Sequence, residues 1–412
     1  MTIPRRTVLG SGAAAALLAA PGRSRAQTAP VLRVGVLTDM SSAYRDVTGP
    51  TSIACVRQAI EDFGVGGKGF QVEVLVADHQ NKADVGANIA RQWLDRDGVD
   101  MITDCPNSAV SLAVAQIAKD KNKAFVNSSM GAEFTVGPNC NANTIQWTYD
   151  VYMVTKSTTG AMVKSGARSW FFITADYTFG HQLEQNASAF VRRGGGEVLG
   201  RAAYPFPGTT DFSSLLVQAQ ASGARALGLC NAGADTINCI KQAHEFGLPR
   251  SGVRLAAMLV FVSDVHAIGL QVAQGLVLTN SYYWDLNDRT RAFDARVRPK
   301  TPNNRPDMNH AGCYAATLHY LKAAASMGVA AAKADGAAAI ARMKAMPTDD
   351  DCFGVGRIRE DGRKLHPAHL FEVKTPSESK GPWDYFKPLA TTPAEEAFRP
   401  TNESACPLTN KS

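Results

Sequence analysis

Val31-Leu32-Arg33-Val34-Gly35-Val36-Leu37-Thr38-Asp39-Met40-Ser41-Ser42-Ala43-Tyr44 decides the fold. Val31 to Leu37 reads as a short strand, Thr38 to Pro50 as a loop, and the residues through Ala54, Ile60 and Phe63 as a helix. This unit repeats: strands 71–77, 101–103 and 124–127 alternate with helices 83–94 and 108–118. Short β-rich runs alternating with longer helix-period segments are the signature of a parallel sheet covered by helices. Near Thr148 to Tyr152 the rhythm restarts, with helices 152–164, 179–193, 211–221 and 235–246 set between strands 169–174, 197–204, 226–230, 254–259 and 276–280. The expected class is therefore α/β, with two lobes of one design. The later chain is mostly helical, including Ala330 to Met346, and ends in two β-like runs, 356–359 and 368–373, too small for a third core. The chain is expected to recross between the lobes, and the Pro-, Ser- and Glu-rich tail after Lys374 to wrap the surface or hang partly loose.

The 412 residues carry 45% hydrophobic and 19% charged side chains, which excludes disorder, collagen and coiled coil. Net charge is +6, but Arg5, Arg6, Arg23 and Arg25 lie in a leading segment without acids; removing them leaves 39 basic against 37 acidic residues. A near-neutral chain without basic runs offers no electrostatic footprint for nucleic acid or an anionic membrane. The leading segment reads as an export signal, residues 1–26: Arg5-Arg6, an apolar run from Val8 to Ala20, and a small-x-small site at Ser24-Arg25-Ala26. The paired arginines leave both the general and the twin-arginine route open. Its apolar run is too short to span a bilayer. The eight cysteines contain no C-x-x-C pair, which argues against a metal cluster. Cys140, Cys352 and Cys406 are the disulfide candidates, and most others are expected to be buried thiols.

Enzyme motifs fail in context. Gly64-Val65-Gly66-Gly67-Lys68-Gly69 spells G-x-G-x-x-G but follows a helix and leads into a strand, the reverse of the dinucleotide arrangement, so it reads as a helix-ending turn. There is no Walker lysine motif, H-E-x-x-H or G-x-S-x-G. Asp264-Val265-His266 places a carboxylate near an imidazole, but it reads first as helix capping beside a surface histidine. A secreted hydrolase built on His266 lacks an activated nucleophile. No catalytic residue, metal or cofactor is expected.

What stands out lies at the strand tips, where ligands of open α/β sheets bind. In the first lobe these are Thr38 to Tyr44, Asp104-Cys105-Pro106-Asn107-Ser108 and Asn127-Ser128-Ser129-Met130-Gly131-Ala132. In the second they are Ala175-Asp176-Tyr177-Thr178-Phe179-Gly180, Asn231-Ala232-Gly233-Ala234-Asp235 and Val260-Phe261-Val262-Ser263-Asp264. Small residues let a ligand reach backbone amides, hydroxyls complete its hydrogen bonds, and aromatic rings cover it. The candidate ligand-binding residues are Tyr44, Asn107, Ser108, Ser129, Met130, Gly131, Tyr177, Phe179, Asn231, Asp235 and Phe261.

In their order, Val34 to Ser41, Ala59-Ile60-Glu61-Asp62, Asp176 to Gly180, Thr210-Asp211-Phe212 and Arg357 to Gly362 resemble the solute-binding proteins of branched-chain amino-acid-type ABC transporters, type I periplasmic binding proteins. The resemblance implies two Rossmann-like lobes joined by three crossovers, a periplasmic location, a small solute closed between the lobes, and a membrane permease and ATPase as partners. The lobes would comprise 31–150 with 284–350, and 151–283 with 352–375, followed by a tail of 376–412. Hinges would lie near Tyr149 to Val151, Ser281 to Trp284 and Asp349 to Cys352, in a monomer. It also implies a ligand carboxylate held at Ser108, Ser129 and Gly131, with an aromatic from Tyr177 or Phe179. The acid that holds an α-ammonium in such binders falls near Val260-Phe261, which is apolar. Either Asp235, Asp264 or Asp39 substitutes, or the solute has no ammonium; an aromatic or otherwise apolar carboxylate is expected first, an aliphatic amino acid second. The same fold also serves ligand sensors of signalling complexes.

Overall fold

The computed structural model describes residues 1–2 and 29–409. The expected export signal therefore lies, but for its first two residues, outside the described residues. Among the described residues no helix is long and apolar enough to cross a membrane.

The first lobe is built on β1 (Val31–Thr38), β2 (Gln71–Asp78), β3 (Met101–Asp104), β4 (Ala124–Asn127) and β5 (Thr144–Gln146), all parallel, in the order β2-β1-β3-β4-β5. β5 is not foreshadowed in the sequence because three residues are too few to show a period. The second lobe repeats the plan with β6 (Ser169–Ala175), β7 (Glu197–Tyr204), β8 (Ala226–Cys230) and β9 (Arg254–Ala257) in the order β7-β6-β8-β9. In each sheet the order reverses direction beside the first strand, so a crevice opens beyond the carboxyl ends of β1 and β3, and of β6 and β8. Helices α1 (Gly49–Phe63), α2 (Ala83–Asp95) and α3 (Ser108–Asp120) cover the first sheet, while α4 (Val151–Lys164) and α5 (Thr178–Arg193) pack on the second. Gly64 ends α1 in the left-handed region at φ 65°, its N–H donating to Ile60 O and Glu61 O. The glycine run is thus a helix stop, as its order with strand and helix requires.

Two small antiparallel sheets complete the chain. β10 (Val277–Asn280) does not extend the second parallel sheet, as its place in the sequence suggests. It pairs instead with β14 (Ala368–Val373), which pairs in turn with β15 (Phe386–Thr392). β11 (Thr348–Asp350), β12 (Gly354–Ile358) and β13 (Lys364–Leu365) form the other. This second sheet sits against the first lobe, with Arg363 bridged to Gln146 and Gln146 N–H donating to Gly362 O at 3.0 Å. The third passage between sheets consequently falls between Leu365 and Ala368, downstream of Asp349 to Cys352. The passages at Tyr149 and Leu365 are tied by the fully buried Arg363, whose Nη1 donates to Tyr149 O at 3.1 Å and lies 3.7 Å from Asp150. Burial lowers the Arg363 pKa and raises that of Asp150, each opposed by the other's charge. Such a pair specifies a geometry more than it stabilises one.

The described part of the tail, to residue 409, packs on the surface rather than hanging loose. After β15 leaves the second lobe's small sheet, the chain runs back to the first lobe, where Cys406 forms a disulfide with Cys140. On the way Arg399 donates to Glu133 Oε1 at 2.7 Å and to Asn186 Oδ1 at 2.8 Å, touching one lobe with each contact. The tail is thus a fourth, covalently closed connection between lobes. Cys352, the third candidate, is a buried free thiol, as are Cys55, Cys105, Cys230, Cys239 and Cys313. Because the bridge closes a loop with a sequence separation of 266, its removal frees a large unfolded ensemble. The double variant Cys140→Ser/Cys406→Ser is expected to lose about 2–5 kcal/mol of stability. Calorimetry should show a lower Tm for it, matched by the wild-type protein in reductant; an unchanged Tm would mean the strap contributes nothing.

Candidate functional site

The loop after β1 is folded by one carboxylate. Asp39 Oδ1 accepts from the N–H groups of Ser41 at 3.2 Å and Ser42 at 2.9 Å. Its Oδ2 accepts from Ser42 Oγ at 2.7 Å, Tyr44 N–H at 2.8 Å and Asn81 Nδ2 at 2.7 Å. With both oxygens saturated, Asp39 is a folding residue, and what it delivers to the crevice is the Tyr44 ring. The tip of β3 is held in a strained form, Asp104 at φ 71° and Cys105 at φ 65°. Asn127 secures it by donating Nδ2 to Asp104 O at 2.7 Å and Cys105 O at 3.2 Å, while its Oδ1 accepts from Ser129 and Met130 N–H at 3.0 and 2.6 Å. Two strand tips are thereby locked to each other, and Pro106 is set at the crevice.

The second lobe answers with rings. Tyr177 takes extended backbone just before α5 and Phe179 lies in its first turn. A Cβ on Gly131 would meet the Phe179 ring at 2.3 Å, so only glycine admits this ring across the lobe junction. Phe261 N–H donates to Asp264 Oδ2 at 2.9 Å, which orients the start of the helix Val262–Ile268 and turns the Phe261 side chain into the crevice.

Between the lobes lies a cavity with room for the centre of a water molecule over about 10 Å³. Tyr44, Val47, Pro106, Tyr149 and Asn309 line it on the first lobe's side, facing Tyr177, Phe179, Ala232, Leu259 and Phe261. The lobes touch at its rim. Tyr44 and Tyr177 share a hydrogen bond between hydroxyls, and the Phe206 ring stacks on both, with centroids 5.6 Å from Tyr44 and 4.4 Å from Tyr177. Ala234 N–H donates to Ala43 O at 3.1 Å, and Glu133 N–H to Gln182 Oε1 at 2.8 Å.

No charged side chain lines the cavity among the described residues. Burial raises the hydroxyl pKa values of Tyr44, Tyr149 and Tyr177, so these remain neutral donors and acceptors. Two of the acids singled out in the sequence lie outside the lining. Asp235 accepts from Tyr204 Oη at 2.7 Å and burial pushes its pKa up to about 6. Asp264 is pushed up to about 8, mainly by burial. No group of His, Cys, Asp and Glu among the described residues could hold a metal ion.

Of the residues singled out in the sequence, Tyr44, Tyr177, Phe179 and Phe261 line the cavity, and Gly131 abuts Phe179. The others make contacts within their own lobe. Asn107 caps α3 by accepting from Ala109 and Val110 N–H at 2.9 and 3.1 Å. Ser108 Oγ accepts from Ala132 N–H at 3.2 Å, Ser129 Oγ donates to Asp104 Oδ1, and Met130 is buried in the first lobe's core. Asn231 Oδ1 accepts from Thr236 Oγ1 at 2.7 Å. Val47, Pro106, Tyr149, Ala232, Leu259 and Asn309 complete the lining unannounced as candidates. Pro106 and Ala232 lie inside strand-tip segments the pattern does mark, but Asn309 comes from a helix after the second crossing, where no such pattern points.

The family model described as periplasmic binding protein matches residues 31–382. Among solved structures, a periplasmic binding protein from Burkholderia mallei is 43% identical, with 92% of this chain and 99% of that chain covered and a TM-score of 0.87. A branched-chain amino acid ABC transporter periplasmic ligand-binding protein from Burkholderia xenovorans LB400 is 39% identical, covering 92% of this chain and 100% of that one at a TM-score of 0.80. An ABC transporter solute-binding protein from Rhodopseudomonas palustris BisB5, in complex with 3,4-dihydroxybenzoic acid, shares the fold at 20% identity, covering 88% and 98% with a TM-score of 0.79. Among curated proteins none matches. Two parallel-sheet lobes, a crevice at their facing strand tips and a family match over most of the chain lead to one conclusion: the chain belongs to the periplasmic binding proteins, which capture solutes for ABC transporters and are not enzymes.

Proposed function

We propose that the protein holds a small aromatic or otherwise apolar carboxylate between its lobes and hands it to the permease of its transporter. The observation that carries this is the cavity wall: five aromatic rings and no charged side chain among the described residues. An α-ammonium enclosed there would lose its hydration without an anion in return, at a cost of several kcal/mol. That argues against an amino acid, although one relative is the ligand-binding protein of a branched-chain amino acid ABC transporter. The dihydroxybenzoate complex of the Rhodopseudomonas palustris protein supports the aromatic reading by analogy of fold. The solute's carboxylate would draw on the neutral tyrosine hydroxyls and backbone amides of the strand tips.

The mechanism is binding without chemistry. With the lobes in contact the empty cavity admits only a water-sized body, so a solute enters as the lobes part and is held in a closed form whose walls stand further apart than these. It then favours closure by touching both walls, in proportion to its differential affinity for the closed state. The passages at Tyr149–Asp150, Ser281–Trp284 and Leu365–Ala368 would serve as hinges. We further propose that the 1–26 segment directs export and is removed, and that the chain works as a monomer.

Calorimetric titration of solute-stripped protein with benzoate-type acids, keto acids and leucine tests the solute class. Aromatic acids are expected to bind at least 100-fold tighter than leucine; tight leucine binding with no response to the acids would overturn the proposal. Closure has its own test in Gly131→Ala. Overpacking against Phe179 costs about 1–3 kcal/mol, so solute affinity should fall about tenfold, with partial recovery in Gly131→Ala/Phe179→Leu. Equal affinity in wild type and Gly131→Ala would remove the Gly131–Phe179 contact from the closing mechanism.

A further inference from the structure

Asn309 is the one amide side chain of the cavity wall and is 2% exposed. It stands in the first turn of the helix Met308–Met327, whose N-cap Asp307 accepts from Asn309 N–H at 2.8 Å. The amide orientation is fixed by chemistry. One end faces Val47 O at 3.1 Å, and a carbonyl can only accept, so that end is the Nδ2 donor. The other end, Oδ1, is buried and has no hydrogen-bond partner. Among the hydroxyls of the wall, Tyr149 Oη donates to Ser129 O at 3.0 Å and one of the Tyr44–Tyr177 pair donates to the other, and none of them bonds Asn309 Oδ1. A buried acceptor left unpaired is unfavourable, and a site holding one discriminates in favour of a ligand that brings the missing donor.

We infer that Asn309 Oδ1 reads a hydrogen-bond donor on the solute's ring, a hydroxyl or an amino group set away from the carboxylate. This rests on the aromatic-acid reading and narrows it to donor-substituted aromatic acids. Asn309 is then a specificity-determining residue whose Nδ2 bond to Val47 aims the acceptor. A methoxy group in place of hydroxyl keeps an oxygen but removes the donor, which separates donor recognition from filling of space.

The test is calorimetric titration of wild type, Asn309→Leu and Asn309→Ser with benzoate, the three monohydroxybenzoates, 4-aminobenzoate and 4-methoxybenzoate, with thermal melting as the check on folding. At least one donor-bearing acid is expected to bind wild type ten or more times tighter than benzoate and than the methoxy analogue. That advantage over benzoate, measured within the same variant, should shrink to threefold or less in Asn309→Leu; Asn309→Ser supplies the same comparison should the leucine variant misfold. Benzoate binding as tightly as every donor-bearing acid, or an undiminished advantage in the folded variants, would overturn the inference and leave the aromatic-acid reading standing. Failure of every aromatic acid to bind wild type would overturn both.

Discussion

A closing cleft expels water, and any charge caught in it must find a partner or be expelled too. In this protein that constraint is met by keeping charge out of the wall. Asp39 turns both carboxylate oxygens into its own loop, Asp235 accepts from Tyr204, and Asp264 accepts from Phe261 N–H, with burial raising its pKa. What remains at the junction is Tyr44, Phe206 and Tyr177 in a stack, with Phe179 against Gly131. Such a surface can meet its opposite number without a desolvation penalty, which is why the two lobes can close to a cavity of water size.

The hydrogen bonds around the cleft hold the strand tips in place. Asn127 binds the tips of β3 and β4 together, and Ser108, Ser129 and Asn107 fasten the same region. Polar side chains at the strand tips thus tie the frame together, and aromatic side chains line the cavity it encloses. The wider molecule follows the same division. Arg363 joins two of the passages between lobes from beneath, and the disulfide-anchored tail adds a fourth link whose Arg399 reaches both lobes. These ties limit the relative motion of the lobes to a small set of paths without entering the cavity.

The alternation of strand and helix was enough to read both parallel sheets, and the direction of Gly64–Gly69 between helix and strand was enough to dismiss a nucleotide loop. Short or late elements were not legible. β5 has no room for a period, β10 looks like a continuation of the second sheet until β14 returns to pair with it, and the polar tail conceals β15 and the cysteine partner of Cys140. At the cleft the aromatic residues of the strand tips could be found, because a ring beside small residues at a sheet's edge has few other uses. The serines and asparagines could not be sorted, since capping, turn and ligand roles call for the same side chains. Asn309 left no trace at all: it reaches the cavity because the chain crosses back to the first lobe.

Everything rests on the two lobes closing over a solute at this uncharged junction. The most direct measurement is the distance distribution between spin labels on exposed positions of opposite lobes, Asn88 on α2 and Gln218 on the helix Ser213–Ala221, with and without an aromatic acid that binds. The account requires saturating solute to collapse the distribution to a single narrow population at the short end, and Gly131→Ala to oppose that shift. A distribution that stays the same when the solute is bound would contradict it.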